Sequence, residues 1–252
     1  MSILNAFDPD SKPLFTPEQL YGTGEQIAEV CIVSFHHKVL ERVLAEYHPA
    51  AAARAFTANG PVELYLLELD GRPTLFYMSP IGAPAAGAIL HEAAVLTGAK
   101  KFIVFGSCGV LAPELCAGKV IVPTEACRDE GLSYHFAPPA DYIRMKGSGT
   151  VAEQLSACGI PHVLGRTWTT DAVYRETANL IARRRAEGCL CVEMEAAGLQ
   201  AVADAIGAEL FSFFFGGDIL GEVWDKGNLG GEAEKARQHG LLDIALGLAA
   251  RL

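Results

Sequence analysis

The sequence has no C-x-x-C pair, no apolar run near the roughly 18 residues a membrane span needs, and no surplus of positive charge. Each absence closes a class. The seven cysteines (31, 108, 116, 127, 158, 189 and 191) are odd in number and irregularly spaced. They are expected to be reduced thiols, and neither a disulfide framework nor a metal site is expected. A formal net charge of −10 argues against binding a nucleic-acid backbone, which rests on clustered Lys and Arg. The start, Met1-Ser2-Ile3-Leu4-Asn5-Ala6-Phe7-Asp8, turns acidic at once and lacks the pattern of a secretory leader. A cytoplasmic protein acting on a small molecule, without nucleic-acid or membrane partners, is the expectation. Internal repeats and low-complexity tracts are also lacking. With 252 residues, half of them hydrophobic, the chain can bury one large core, and residues 1–252 are expected to form one domain.

What is present alternates. Cys31-Ile32-Val33 reads as a buried strand, and His37 to Tyr47 as a helix with Val39, Leu40, Val43 and Leu44 on one face. Val62–Leu69 and Thr74–Met78 flank Asp70-Gly71-Arg72-Pro73, a hairpin with an Asp-Gly turn. Ala83–Thr97 reads as a helix with Pro84 in its first turn and Gly98 past its end. Lys101–Phe105 reads as a strand ending in a glycine turn, Gly106-Ser107-Cys108-Gly109. Lys119–Val122, Val163–Trp168, Cys189–Met194 and Glu209–Phe215 are further strands. Helices are expected over Asn179–Arg185, Glu195–Ile206 and roughly Gly231–Arg251. This alternation predicts an α/β fold with a mixed, largely parallel central sheet flanked by helices.

In such sheets ligands bind beyond the carboxyl ends of strands, so four strand ends matter most. Ser79-Pro80-Ile81-Gly82-Ala83-Pro84 is either a tight strand-to-helix turn or a place where an anion meets free N–H groups. In the Gly106–Gly109 segment Ser107 can bond a phosphate or sugar oxygen, while Cys108 has no evident base partner and reads as a packing residue. Cys191-Val192-Glu193-Met194-Glu195-Ala196-Ala197 sets two carboxylates one residue apart at a strand-to-helix junction. A carboxylate there can accept two neighbouring sugar hydroxyls, with Met194 as an apolar face; a first-turn Glu favoured by the helix dipole is the alternative for Glu195. Asp218 follows Phe213-Phe214-Phe215-Gly216-Gly217, and is either a turn aspartate or an acid whose proton is held by an apolar setting.

In this order, the segments resemble the nucleoside phosphorylase family, which spans purine nucleoside phosphorylases, uridine phosphorylase and methylthioadenosine nucleosidases. Val192-Glu193-Met194-Glu195-Ala196-Ala197 is the most specific match, joined by Gly106-Ser107-Cys108-Gly109, Ile81-Gly82-Ala83-Pro84 and Thr169-Thr170-Asp171-Ala172-Val173-Tyr174. The similarity covers roughly residues 30 to 220. It implies that Glu195 holds the ribose hydroxyls, Met194 packs on the sugar and Glu193 lies beside them. Val173, Cys108, Gly109 and Val192 would line the base side, and Asp218 would protonate a leaving purine. Ser107, Gly82 and His36 would meet phosphate, and Arg54 would reach it in a neighbouring subunit.

The chain departs from the family at two phosphate arginines. Ser34-Phe35-His36-His37-Lys38 stands where the family has Gly-Asp-Pro-x-Arg, and Val104 replaces the arginine before the glycine segment. His36, His37 and Lys38 are the substitutes at hand, although Lys is no bidentate fork and His is only partly charged. The resemblance implies phosphorolysis of a nucleoside, with purines favoured by Asp218, inorganic phosphate as co-substrate and no cofactor. It also implies a homo-oligomer, a dimer or a hexamer built as a trimer of dimers. Hydrolysis by water, a uridine phosphorylase and a non-catalytic nucleoside-binding protein are the alternatives.

Overall fold

A computed structural model describes residues 2–227 and 229–252; Met1, from the acidic start, lies outside them. After α1 (Pro17–Tyr21), the buried strand β1 (Val30–Ser34) leads into α2 (His37–Tyr47), whose bounds are those predicted. Three antiparallel strands follow: β2 (Ala50–Thr57), β3 (Gly60–Leu69) and β4 (Arg72–Met78). The Asp-Gly hairpin is present between β3 and β4. Asp70 and Gly71 both take positive φ, 50° and 77°, as the turn that suits twisted strands requires. Helix α3 (Ala83–Thr97) keeps its predicted bounds, with Pro in the first turn and Gly98 left-handed at its end.

The remaining chain runs β5 (Lys101–Val110), α4 (Pro113–Cys116), β6 (Val120–Asp129), α5 (Ser133–Phe136), β7 (Tyr142–Arg144) and α6 (Ser148–Ala157). It continues through β8 (His162–Thr170), α7 (Ala178–Ala186), β9 (Cys189–Glu193), α8 (Ala196–Ala205), β10 (Glu209–Leu220), β11 (Trp224–Asp225) and α9 (Glu232–Ala249). The sheet is mixed. β1 lies parallel between β4 and β5, and β5 lies parallel to β10 and antiparallel to β9. β10 meets β6 antiparallel, and the parallel pairs β6–β8 and β8–β9 complete a ring of β5, β10, β6, β8 and β9. From that ring β1, β4, β3 and β2 extend as an open wing.

Strand β10 explains why its sequence is so apolar. Phe211, Phe213 and Phe215 enter one core with α2, α6 and α9, while Leu210 and Phe214 enter the other with α3 and α8. Alternate side chains point to opposite faces and both faces are covered, so nearly every position is apolar.

One expectation is corrected. The Gly106–Gly109 segment is not a turn, because β5 continues through it to Val110. Its glycines provide clearance: a Cβ on Gly109 would lie 2.7 Å from Leu220 Cδ1 and 3.0 Å from Val192 Cγ1. Strand β2 and helix α6 were not anticipated. An alanine run carries little strand signal, and β2 exists because β3 pairs along it.

Candidate active site

The carboxyl ends of β1, β5, β9 and β10 converge on a cavity of about 280 Å³. Ser107, Cys108, Gly109, Val192, Glu193, Met194, Glu195 and Asp218 line it, with His36 from the β1–α2 junction and Val173 from the loop after β8. The two carboxylates flanking Met194 therefore share a cavity with the aspartate at the end of β10.

The two glutamates have different surroundings. Glu193 Oε1 accepts the hydroxyls of Thr169 at 2.6 Å and Thr167 at 3.2 Å. Its Oε2 accepts the backbone N–H groups of Glu195 at 2.8 Å and Ala196 at 2.6 Å. All its acceptor positions are engaged at the start of α8. Burial pushes its proton affinity up, and these donors oppose that. Glu193, expected beside the sugar, lines the cavity next to Glu195 and spends its oxygens on fastening the β9–α8 junction. Thr169, from the segment read as base-side, serves the same fastening by accepting the amide of Ala197 at 3.0 Å.

Glu195 is the free member of the pair. Its Oε1 accepts the Gly82 amide at 2.6 Å, the Met194 N–H adds a further backbone donor to the carboxyl, and no other side chain among the described residues bonds Oε2. Burial, with the neighbouring Glu193 charge, pushes its pKa up to about 8. Gly82 takes a φ of +97° to aim that amide, a conformation that favours glycine. The amide is occupied by Glu195 and Gly82 does not line the cavity, so its expected role at phosphate is replaced by one at Glu195.

Asp218 is half-buried, and burial raises its pKa while an indole N–H from Trp224, 2.7 Å from Oδ2, opposes the rise. Cys108 is a buried thiol directed at the Phe215 carbonyl at 3.3 Å, and its proton is held tightly by burial. Held in this way, the thiol packs in the cavity wall.

The anion side departs most from expectation. His36 Nδ1 accepts the Lys38 amide at 3.1 Å to cap α2, and burial lowers the ring's pKa. The imidazole is therefore neutral at pH 7 and offers its Nε2–H alone. Lys38 pairs with Glu41 at 2.9 Å, and neither Lys38 nor His37 lines the cavity. Arg54 lies on β2, half exposed and 2.6 Å from Glu63, and does not line this chain's cavity. No Lys or Arg is among the lining residues, whereas four carboxyl groups are: Glu176, Glu193, Glu195 and Asp218.

Three residues escaped the sequence reading. Glu176 lines the cavity, with its pKa pushed up to about 7 by burial and by the Asp218 charge. Nothing in its local sequence marks it. Gln238 of α9 also lines the cavity, and its Oε1 is buried without a partner among the described residues. A polar residue on the helix face shared with Leu241, Leu242 and Ala245 was the available signal. Trp224 had none, since its position depends on β11 folding back on β10.

Residues 29–244 match the family model described as the phosphorylase superfamily. A purine nucleoside phosphorylase DeoD-type of Tolumonas auensis is 32% identical over 134 residues, 51% of this chain and 56% of that one. One from Mannheimia succiniciproducens is 30% identical over 148 residues, 56% of this chain and 61% of its own. A DeoD-type 2 enzyme of Vibrio cholerae is 28% identical over 134 residues, with shares of 51% and 56%. The chain thus spans a little over half the length of the curated relatives it matches. The family model covers the strands that build the cavity and most of α9, and the chain belongs to the phosphorylase superfamily.

Proposed function

We propose that this chain is a nucleoside phosphorylase, a pentosyltransferase that splits the N-glycosidic bond of a purine nucleoside with inorganic phosphate. The observation that carries this is the meeting of Glu195 and Asp218 in one cavity, with a carboxyl oxygen of Glu195 left for ligand. Glu195 accepts neighbouring ribose hydroxyls and Met194 packs on the sugar, while Asp218 faces the base together with Val173, Cys108, Gly109 and Val192. As the C–N bond breaks, its electron pair leaves with the base and positive charge grows on the sugar. Asp218 gives its proton to the base, a phosphate oxygen bonds to C1′, and hydrogen phosphate returns a proton to Asp218. The products are free base and pentose 1-phosphate. The relatives' names favour a purine.

Ser107, the Nε2–H of His36 and the amide of Gln238 are the donors for phosphate within the chain. On this reading Arg54 supplies a cation to a neighbouring subunit's site in a cytoplasmic homo-oligomer. A second reading, hydrolysis by water, is favoured by the absence of Lys and Arg from a lining that holds four carboxyl groups. A dianion entering such a lining meets repulsion that water does not.

Base release from inosine, guanosine, adenosine, uridine and thymidine, each with and without phosphate, tests both. Purine release that depends on phosphate supports phosphorolysis; undiminished release without phosphate replaces it with hydrolysis. Tight binding with no release from any nucleoside overturns both.

A further inference from the structure

Asp218 uses its two carboxyl oxygens differently. Oδ2 accepts the Trp224 indole N–H at 2.7 Å. Oδ1 lies over Gly109, 3.4 Å from where a Cβ would stand, at a point where both residues line the cavity. One oxygen is tied to a surface segment and the other faces the ligand space.

Trp224 is brought to Asp218 by a built device. β11 folds back antiparallel on the end of β10, with Trp224 opposite Leu220 and Asp225 opposite Ile219. Asp225 Oδ1 accepts the Gly227 amide at 2.9 Å. Gly227 has a φ of +55°, and a Cβ on it would be 2.7 Å from the Gly217 carbonyl oxygen. The return segment is thereby seated against the residue preceding Asp218. Packing does not account for where the indole sits, because Trp224 is 57% exposed and Val223 beside it 82%. The hydrogen bond to Asp218 is the specific contact that fixes it.

We propose that Trp224 is a positioning residue for the acid: its N–H holds Oδ2 so that Oδ1 carries the proton toward the leaving base. This rests on the acid role given to Asp218 above. When the proton passes from Oδ1 to a base nitrogen, negative charge develops on the carboxylate and the indole bond to Oδ2 becomes charge-assisted. Hydrogen bonds to ionised acceptors are roughly twice as strong as neutral ones, so the contact gains strength along the reaction. The other groups around Asp218 are Glu176 from the loop after β8, Glu234 and Arg237 from α9, and the neutral thiol of Cys108 on β5. Glu234 opposes ionisation of Asp218 and Trp224 favours it, while the Asp218 charge in turn raises Glu176.

The test is Trp224→Phe, which keeps an aromatic ring and removes the donor. Its kcat should fall about ten- to a hundredfold on the nucleoside cleaved fastest in the panel, as loss of a bond to a charged group implies. KM should change less, and the alkaline limb of the kcat–pH profile should move to higher pH. Unchanged kcat and limb beside an inactive Asp218→Asn overturn this proposal alone; full turnover in Asp218→Asn overturns the acid reading with it. Fluorescence gives a readout independent of turnover. Trp168 is fully buried with its N–H on Asp129 at 2.9 Å, so subtracting the Trp224→Phe emission from wild type isolates Trp224. That signal should titrate with pH in the wild type and not in Asp218→Asn. A Trp224 signal that does not titrate in the wild type overturns the contact.

Discussion

The side chain of Glu193 accepts the backbone N–H of Glu195 at 2.8 Å, so one carboxylate of the acidic pair fastens the backbone that carries the other. The fastened group has every acceptor position filled from within the protein; the carried group keeps one oxygen for a ligand. Two glutamates that look equivalent in sequence therefore do different work.

Glu193→Gln should lower stability more than it changes any single contact with substrate. An amide presents an N–H₂ to donors that need an acceptor, and each buried group left unpaired costs about 1–3 kcal/mol. A thermal melt should show a clear fall in Tm, and an unchanged Tm would contradict the fastening role.

Glu195→Ala should weaken the hold on the sugar, at a cost to the fold limited to the acceptor lost by the Gly82 amide. Two hydroxyls bonded to a neutral carboxyl are each worth about 0.5–1.5 kcal/mol, so kcat/KM should drop roughly five- to a hundredfold. Preference for ribose over deoxyribose should vanish with it. Steady-state kinetics on matched ribo- and deoxyribonucleosides reads both effects.

Much of this site was legible in the sequence because buried charge is costly. Glu195 at a strand-to-helix junction and Asp218 after Phe213-Phe214-Phe215 stood out on that ground, and they share the cavity. The division of labour between the glutamates was not legible, since it depends on register: Thr169 stands opposite Glu193 across the parallel β8–β9 pair. Gly106 to Gly109 looked like a turn because glycine so often makes one, whereas here it gives clearance within a strand. Glu176, Gln238 and Trp224 come from segments that only the tertiary fold brings together. The same limit hid the engagement of the Gly82 amide.

Gly82→Ala should unsettle Glu195 without crowding anything. No atom lies within 4 Å of an added Cβ, so the cost is the positive φ itself, about 1–3 kcal/mol. Tm should fall modestly while KM rises, because the amide that anchors Oε1 is displaced.

The stability that Glu176 and Glu195 contribute to the ligand-free protein should decline as pH rises from about 5 to about 8, against the buried His36 and His91, which act in the opposite sense. Glu176 and Glu195, raised to about 7 and about 8 mainly by burial, stay protonated in the fold while they ionise in the unfolded chain. The folded state then binds more protons, so stability falls with pH until both have ionised and levels off above. Melts across this range should show the decline, and Glu195→Gln should flatten its upper part.

Replacement of Asp218 by Asn, read as base release from each nucleoside the wild-type chain cleaves, probes proton delivery to the leaving base. Loss of the acid should cut kcat by about 10²- to 10⁴-fold while nucleoside still binds. Turnover equal to wild type on all of them would mean that the leaving base takes no proton from Asp218.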